Sequence, residues 1–227
     1  MIHYLAPGNT KGWGVATRAA AICRWLPDVH VYCSANTEPL ELHGIPHTVA
    51  PPQDLVGVEF DGFVIADGTY NPRFRADAWI WRQGRDVPRD CYIVYVEPTG
   101  FEHQYFWPIV RFTDDEILTR EQARDELGWD PDAVLTAKIP SKSGTFDAEH
   151  DVVLDRYPAM KYLRAADHVV AACGANTWAE VHQLGIPATW HAVREEQHLR
   201  LTIPQSLWQP IPDASKAAAA YVERLAE

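Results

Sequence analysis

The sequence predicts an α/β fold: a compact chain of two Rossmann-like halves, each a doubly wound parallel sheet. Three observations carry this expectation. Short apolar runs bounded by turn residues alternate with helical stretches through the first half. The alternation breaks at a charged helical segment, and beyond it the alternation resumes. At 227 residues, 47% hydrophobic and 22% charged, the chain has the composition of an ordinary globular protein with a substantial core.

In the first half the strand runs are Ile2–Ala6, Val29–Ser34, His47–Ala50, Gly62–Asp67 and Cys91–Glu97. A helix is expected at Val15–Leu26, where Ala16, Ala19, Ala20, Cys23 and Leu26 share a face, and a second over Phe74–Gln83. The halves join near residues 106–112, giving domains 1–108 and 109–227. The segment that opens the second half carries Thr119, Glu121 and Gln122 as a helix start and Gly128 as its stop. Strands are then expected at Ala133–Ile139, Asp151–Leu154, His168–Cys173 and Ala188–Val193. Helices are expected at Ala159–Ala165, Trp178–Leu184 and, closing the second domain, Ala214–Leu225.

The net charge of −11 is unevenly spread. Phe112 to Arg156 holds 12 acids against 5 bases, whereas Asn71 to Asp90 holds five Arg (Arg73, Arg75, Arg82, Arg85, Arg89) against three Asp. A solvated helix face accounts for that basic cluster, and a phosphate-tracking surface is its other reading. Cys23, Cys33, Cys91 and Cys173 have no Cys-x-x-Cys spacing, which argues against a zinc knuckle or a redox pair. "MIHYLAPG" lacks signal-peptide character and no apolar run approaches membrane length, so a cytoplasmic protein without membrane insertion is expected.

Ligands of doubly wound sheets bind at the carboxyl ends of the strands. After the first strand, "APGNTKGWGVATR" carries Asn9, Thr10, Lys11, Gly12, Trp13 and Gly14. It lacks the Walker order and the third Gly of the dinucleotide fingerprint, and the second strand ends in Cys33-Ser34 rather than a ribose-binding acid. A nicotinamide cofactor is therefore not expected. What remains is a Gly loop able to approach an anion or acceptor closely, or a plain strand–helix turn. Asp67 and Glu97 each end a strand run, and His103 follows Glu97 by six residues. Each is a candidate general base, with a cap or turn role as the alternative for the acids. Asp130-x-Asp132 precedes a strand and contains Pro131, so it reads as a turn rather than a metal site.

In "CGANTWAEVHQLGIPATW" a buried strand meets a tight Gly174-Ala175 turn and a helix. Thr177 and Glu180 match a capping box, and Gly185 with Pro187 supplies the stop. The helix start would lie at the carboxyl end of a strand, where a diphosphate is favoured. A following loop carries Glu196 and Gln197, a carboxylate and an amide suited to sugar hydroxyls.

"YLRAADHVVAACGANTWAEVHQLGIPATWHAVREEQHLR" (Tyr162–Arg200) resembles the donor-binding signature of GT-B glycosyltransferases, in particular the MurG-like and actinobacterial groups. "PIVRFTDDEILTREQARDELGWDPDAVL" is similar to the bridge into their second domain, and "PGNTKGWGVATR" more loosely to their first acceptor-side loop. The resemblance implies a GT-B-like transferase without a cofactor, its donor a nucleotide diphospho-sugar, a UDP-sugar foremost. It implies that Gly174, Ala175 and Asn176, with Thr177 beside them, lie by the diphosphate. Glu180 would hold the ribose, and Glu196 and Gln197 the donor sugar. Asn9–Gly14 would form the acceptor-side loop. Trp13 stands in the stretch where MurG-like members carry a His, so their base does not transfer, leaving Asp67, Glu97 and His103 as candidates. Inversion is expected, since no second acid is spaced to pair with Glu196, and the helix start at Asn176–Trp178 would stabilise the departing diphosphate in place of a metal. The acceptor is a small molecule or glycan, or, by similarity to short phage enzymes of this fold, a hydroxymethylated DNA base. A nucleotide-sugar epimerase or hydrolase, and a non-catalytic nucleotide-sugar binding module, are the alternatives.

Overall fold

The computed structural model describes residues 1–7, 14–67, 74–81, 91–97, 105–141, 144–204, 206, 208 and 210–227. They form two units: Met1–Arg111 with Pro204–Glu227, and Phe112–Ile203. Both are α/β with parallel sheets, as the alternation of short apolar runs and helices predicts.

In the first unit the strands are β1 (Ile2–Ala6), β2 (Val29–Cys33), β3 (His47–Val49), β4 (Phe63–Asp67), β5 (Ala78–Trp81) and β6 (Tyr92–Tyr95). They pair in the order β3-β2-β1-β4-β5-β6, all parallel, and the order reverses between β1 and β4. Helix α1 (Gly14–Cys23) and the short α2 (Glu38–Glu41) cover one face. Every residue of α1 from Ala16 to Cys23 is buried, because an Ala-rich helix lets its neighbours approach from all sides. The opposite face is covered by the Pro52–Leu55 3-10 turn and by Phe74, which stacks on Trp79 at 6.4 Å.

Two elements differ from the sequence expectation. Phe74–Gln83, expected as a helix, contains strand β5 instead. Ala78 and Ile80 enter the α1-side core while Trp79 enters the core on the other face, the two-residue period of a strand buried on both sides. The C-terminal helix α6 (Ala214–Ala226), expected in the second domain, belongs to the first unit. Its Ala214, Ala218 and Val222 share a helical face with the spacing of four that docks on α1, and Ser215 Oγ accepts from Val110 N–H at 2.9 Å.

In the second unit, α3 (Arg120–Leu127) begins as the sequence indicates. Thr119 Oγ1 accepts from Gln122 N–H, the Gln122 side-chain oxygen accepts from Thr119 N–H at 3.0 Å, and Gly128 ends the helix at φ 68°. Strands β7 (Thr136–Ile139), β8 (Val152–Val153), β9 (His168–Ala172) and β10 (Ala188–His191) pair in the order β10-β9-β7-β8, all parallel. Helix α4 (Ala175–Gln183) and a 3-10 helix at Ala159–Ala165 lie between them in sequence, and α5 (Glu195–Thr202) follows β10.

A buried arginine fastens the amino ends of this sheet. Arg124 donates to the carbonyls of Asp130, Pro131, Ala133 and Ala165 and to Asp167 Oδ2 at 2.9 Å. Asp167 also accepts from Arg120 and from Leu135 N–H. These partners, Arg120 first and the Leu135 amide next, lower the Asp167 carboxyl to about 2. Asp130 Oδ1 accepts from Asp132 N–H at 2.9 Å, forming the turn expected of Asp130-x-Asp132.

Candidate functional site

The second unit's sheet reverses its order at β7, which has β8 on one side and β9 on the other. Ligands of open parallel sheets bind outside the carboxyl ends of the strands at such a point. Helix α4 starts there, directly off the end of β9. Cys173 N–H donates to His191 O at 2.9 Å, which continues the β9–β10 pairing by one residue. Gly174 N–H turns back to Ala172 O at 2.7 Å, and Trp178 N–H already reaches Gly174 O at 2.8 Å.

Helix α4 therefore begins at Ala175, not Trp178, and the capping box expected of Thr177 and Glu180 does not form. Gly174 is the N-cap and no side chain caps the end. Thr177 is three residues inside the helix. Glu180 is buried within it at 7% exposure. The helix stops at Gly185, φ 65°, as the sequence indicates. Trp178 anchors it to the sheet, its ring 4.6 Å from that of Trp190.

Gly174 has φ −71° and ψ 144°, a conformation open to any residue. A Cβ added there would meet nothing within 4 Å among the described residues. Neither backbone strain nor packing asks for glycine at this position. Its place, at the start of a helix on the carboxyl edge, leaves bare backbone beside the first-turn amides. The Gly174 amide is committed to Ala172, and the next residues along the first turn of α4 are Ala175, Asn176 and Thr177.

Glu196 and Gln197 lie in the first turn of α5, not in a loop. Glu196 is partly exposed, 4.0 Å from Arg194. Gln197 is buried at 3% exposure and its Oε1 accepts from Val193 N–H at 2.8 Å, so its amide holds the entry to α5. Three residues further on, Arg200 is 1% exposed and donates from Nη1 to Cys173 O at 2.8 Å. On the β7 side, Phe146 stacks on His191 at 4.8 Å, and Lys138 Nζ donates to Phe146 O at 3.0 Å.

In the first unit, Asp67 ends β4 at the point where the strand order reverses, but it is not an open base. It is 1% exposed, and both its oxygens are engaged by Arg18 of α1. Arg18 Nε donates to Oδ2 at 2.8 Å and Nη2 to Oδ1 at 2.5 Å, while the Tyr4 hydroxyl of β1 donates to Oδ2 at 2.8 Å. Burial first, and then the Asp67 charge, push the Tyr4 phenol and the Cys23 thiol well above their ordinary values. Burial pulls on the Arg18 guanidinium, yet the Asp67 carboxylate holds it above its ordinary value, with Glu97 adding to the effect. Glu97 follows β6 and is buried at 4% exposure.

His103 and Asn9–Trp13 lie outside the described residues, as do Arg73, Arg82, Arg85 and Arg89. Gly14 opens α1. Arg75 pairs with Glu59. The residues that sequence reasoning passed over are Arg18, Tyr4 and Arg200. A lone Arg inside an Ala-rich buried helix was the available signal for Arg18, since a buried charge needs a partner.

Among the described residues, no three His, Cys, Asp or Glu side chains are arranged to hold a metal ion, and no helix is long and apolar enough to cross a membrane. No protein-family model matches the chain, and no curated protein matches it.

Proposed function

We propose that the chain is a nucleotide-sugar-dependent glycosyltransferase of GT-B-like design, with its donor site at the carboxyl edge of the second sheet. The observation that carries this reading is Gly174: a glycine that neither strain nor packing requires, at the start of α4 beside the reversal of strand order. The likeness of Tyr162–Arg200 to a donor-binding signature points to the same residues.

In this reading the diphosphate of a nucleoside diphospho-sugar, UDP-sugar foremost, sits against the first turn of α4 at Ala175, Asn176 and Thr177. Glu180 holds the ribose hydroxyls and Glu196 the sugar. Gln197 supports the site from behind. A base takes the proton of the acceptor hydroxyl, whose oxygen attacks the anomeric carbon. The bond from that carbon to the diphosphate oxygen breaks, and the charge left on the diphosphate is stabilised by the α4 amides and helix dipole in place of a metal. Glu97 and His103 are the candidate bases, since Arg18 and Tyr4 occupy the Asp67 oxygens. The acceptor is a small molecule or glycan.

The test is turnover of UDP-sugars, with UDP release followed in the presence and absence of acceptor mixtures. Acceptor-dependent release of UDP is expected. Equal release without acceptor would instead mark a hydrolase, conversion of the UDP-sugar to its epimer without release an epimerase, and binding with neither a binding module.

A further inference from the structure

We infer that Arg200 is a positioning residue for the diphosphate end of this site, acting through the β9–α4 turn; the inference rests on the donor-site reading above. Cys173, the residue that enters the turn, has both of its backbone polar groups held. Cys173 N–H is held by His191 O of β10 at 2.9 Å, and Cys173 O is held by Arg200 Nη1 of α5 at 2.8 Å. With those groups fixed and Gly174 N–H returned to Ala172 O, the chain leaves β9 in one direction only, straight into the first turn of α4. The direction of its first amides follows from that exit.

Helix α5 makes a second such contact on the same face. Gln197, one turn earlier, accepts from Val193 N–H at 2.8 Å, and both side chains are almost wholly buried at 3% and 1% exposure. One helix thus fixes the residues that follow β9 and those that follow β10. A carbonyl needs only one donor, and any short polar group close by would satisfy it. The guanidinium instead spans from the last turn of α5 to the end of β9, and its planar fork is preorganised, so little freedom is lost in holding that geometry. Glycosyl transfer that relies on amides aimed at a leaving diphosphate is sensitive to small misplacements of those amides.

A positioning role makes a specific demand. Loosening the turn should weaken contacts to the diphosphate and leave contacts to the nucleoside unchanged. The measurement is binding of UDP, with ADP, GDP and TDP alongside, by calorimetry, and of uridine by ligand-observed NMR. The proteins are wild type, Arg200→Met and Arg200→Lys, each checked for folding by circular dichroism. Arg200→Met is expected to weaken UDP roughly tenfold or more with uridine within about twofold, and Arg200→Lys, which keeps one donor, to fall within about threefold of wild type for UDP. UDP binding by Arg200→Met within about twofold of wild type overturns the inference, as does a parallel loss of UDP and uridine in either variant. If Arg200→Met does not fold, Arg200→Gln, too short to carry its amide to the Cys173 carbonyl, takes its place: a loss of about tenfold confined to UDP supports the inference, and UDP affinity within about twofold of wild type overturns it. A wild-type protein that binds none of the four diphosphates removes the donor-site reading itself, and this inference with it.

Discussion

Replacing Asp67 by Asn tests whether this residue is a structural ion-pair partner or a base. The substitution keeps the shape and removes the charge. Arg18 is 4% exposed and Asp67 1%, so the guanidinium would be left buried without the carboxylate that both its donors address. The Asn oxygen can still accept from Tyr4 or Arg18 Nε, but its NH2 would then face Arg18 Nη2, donor against donor. Removing one partner of a buried pair costs about 3–5 kcal/mol. For a chain of this size that corresponds to a fall in melting temperature of roughly 10–15 °C. Urea unfolding at neutral pH followed by circular dichroism reads the loss, and a cycle of Arg18→Met, Asp67→Leu and the Arg18→Met/Asp67→Leu double variant reads its origin. Each single change is expected to cost several kcal/mol. The double change is expected to recover about half or more of it, because an apolar pair of similar volume needs no desolvated charge. Asp67→Asn with wild-type stability and no turnover would make Asp67 the base and refute the argument.

Four further outcomes follow from the geometry. Asp167→Asn should destabilise the second unit by about 1–2 kcal/mol at neutral pH, since a carboxyl lowered from 3.8 to about 2 is worth roughly 2 kcal/mol before solvent screening of a partly exposed group. The folded value lies below the unfolded one, so this stability is complete above about pH 4 and disappears as the pH falls toward 2; denaturant midpoints of wild type and variant should converge over that window. Thr119→Ala should cost about 1 kcal/mol in urea unfolding because it removes a formed cap, whereas Thr177→Ala should stay within about 0.5 kcal/mol because no cap exists there. Gly185→Ala should cost about 1 kcal/mol, through its left-handed backbone alone, as no neighbour crowds the added methyl among the described residues. Gly174→Ala, in contrast, should leave stability within about 0.5 kcal/mol and weaken nucleoside diphosphate binding, a pairing that calorimetry and thermal melting check on one sample.

Apolar runs bounded by turn residues located every strand of both sheets except β5, because most strands here are short and flanked by Gly, Pro or Asp. β5 was hidden by its burial on two faces, which erases the alternation that marks a strand. The partner of α6 was hidden for a related reason. Ala214, Ala218 and Val222 declare a covered face, but nothing in that stripe says that α1 of the first unit covers it. Helix α5 read as a loop because its buried residues, Gln197 and Arg200, are polar and escape any count of apolar periodicity. The Thr177–Glu180 spacing fits a capping box, yet Gly174 starts the helix three residues sooner by turning off the end of β9. The candidate donor residues follow two neighbouring strands, Gly174–Glu180 after β9 and Glu196 and Gln197 after β10, although Gln197 holds the entry to α5 rather than facing outward. Asp67 shows the limit of reading chemistry from position, since the end of a strand is also where a buried arginine can find its counter-charge.

A glycosyltransferase of this design must receive a nucleoside diphosphate at the first turn of α4. The direct measurement is the melting temperature of wild type and Glu180→Ala with UDP, ADP, GDP and TDP at increasing concentration. At about a hundredfold excess over Kd, a ligand bound only by the folded state adds about 2.7 kcal/mol, a rise of several degrees. At least one diphosphate, UDP foremost, is expected to stabilise the wild type in this way, and Glu180→Ala to lose most of the shift. No shift of the wild type with any of the four would contradict the donor-site reading.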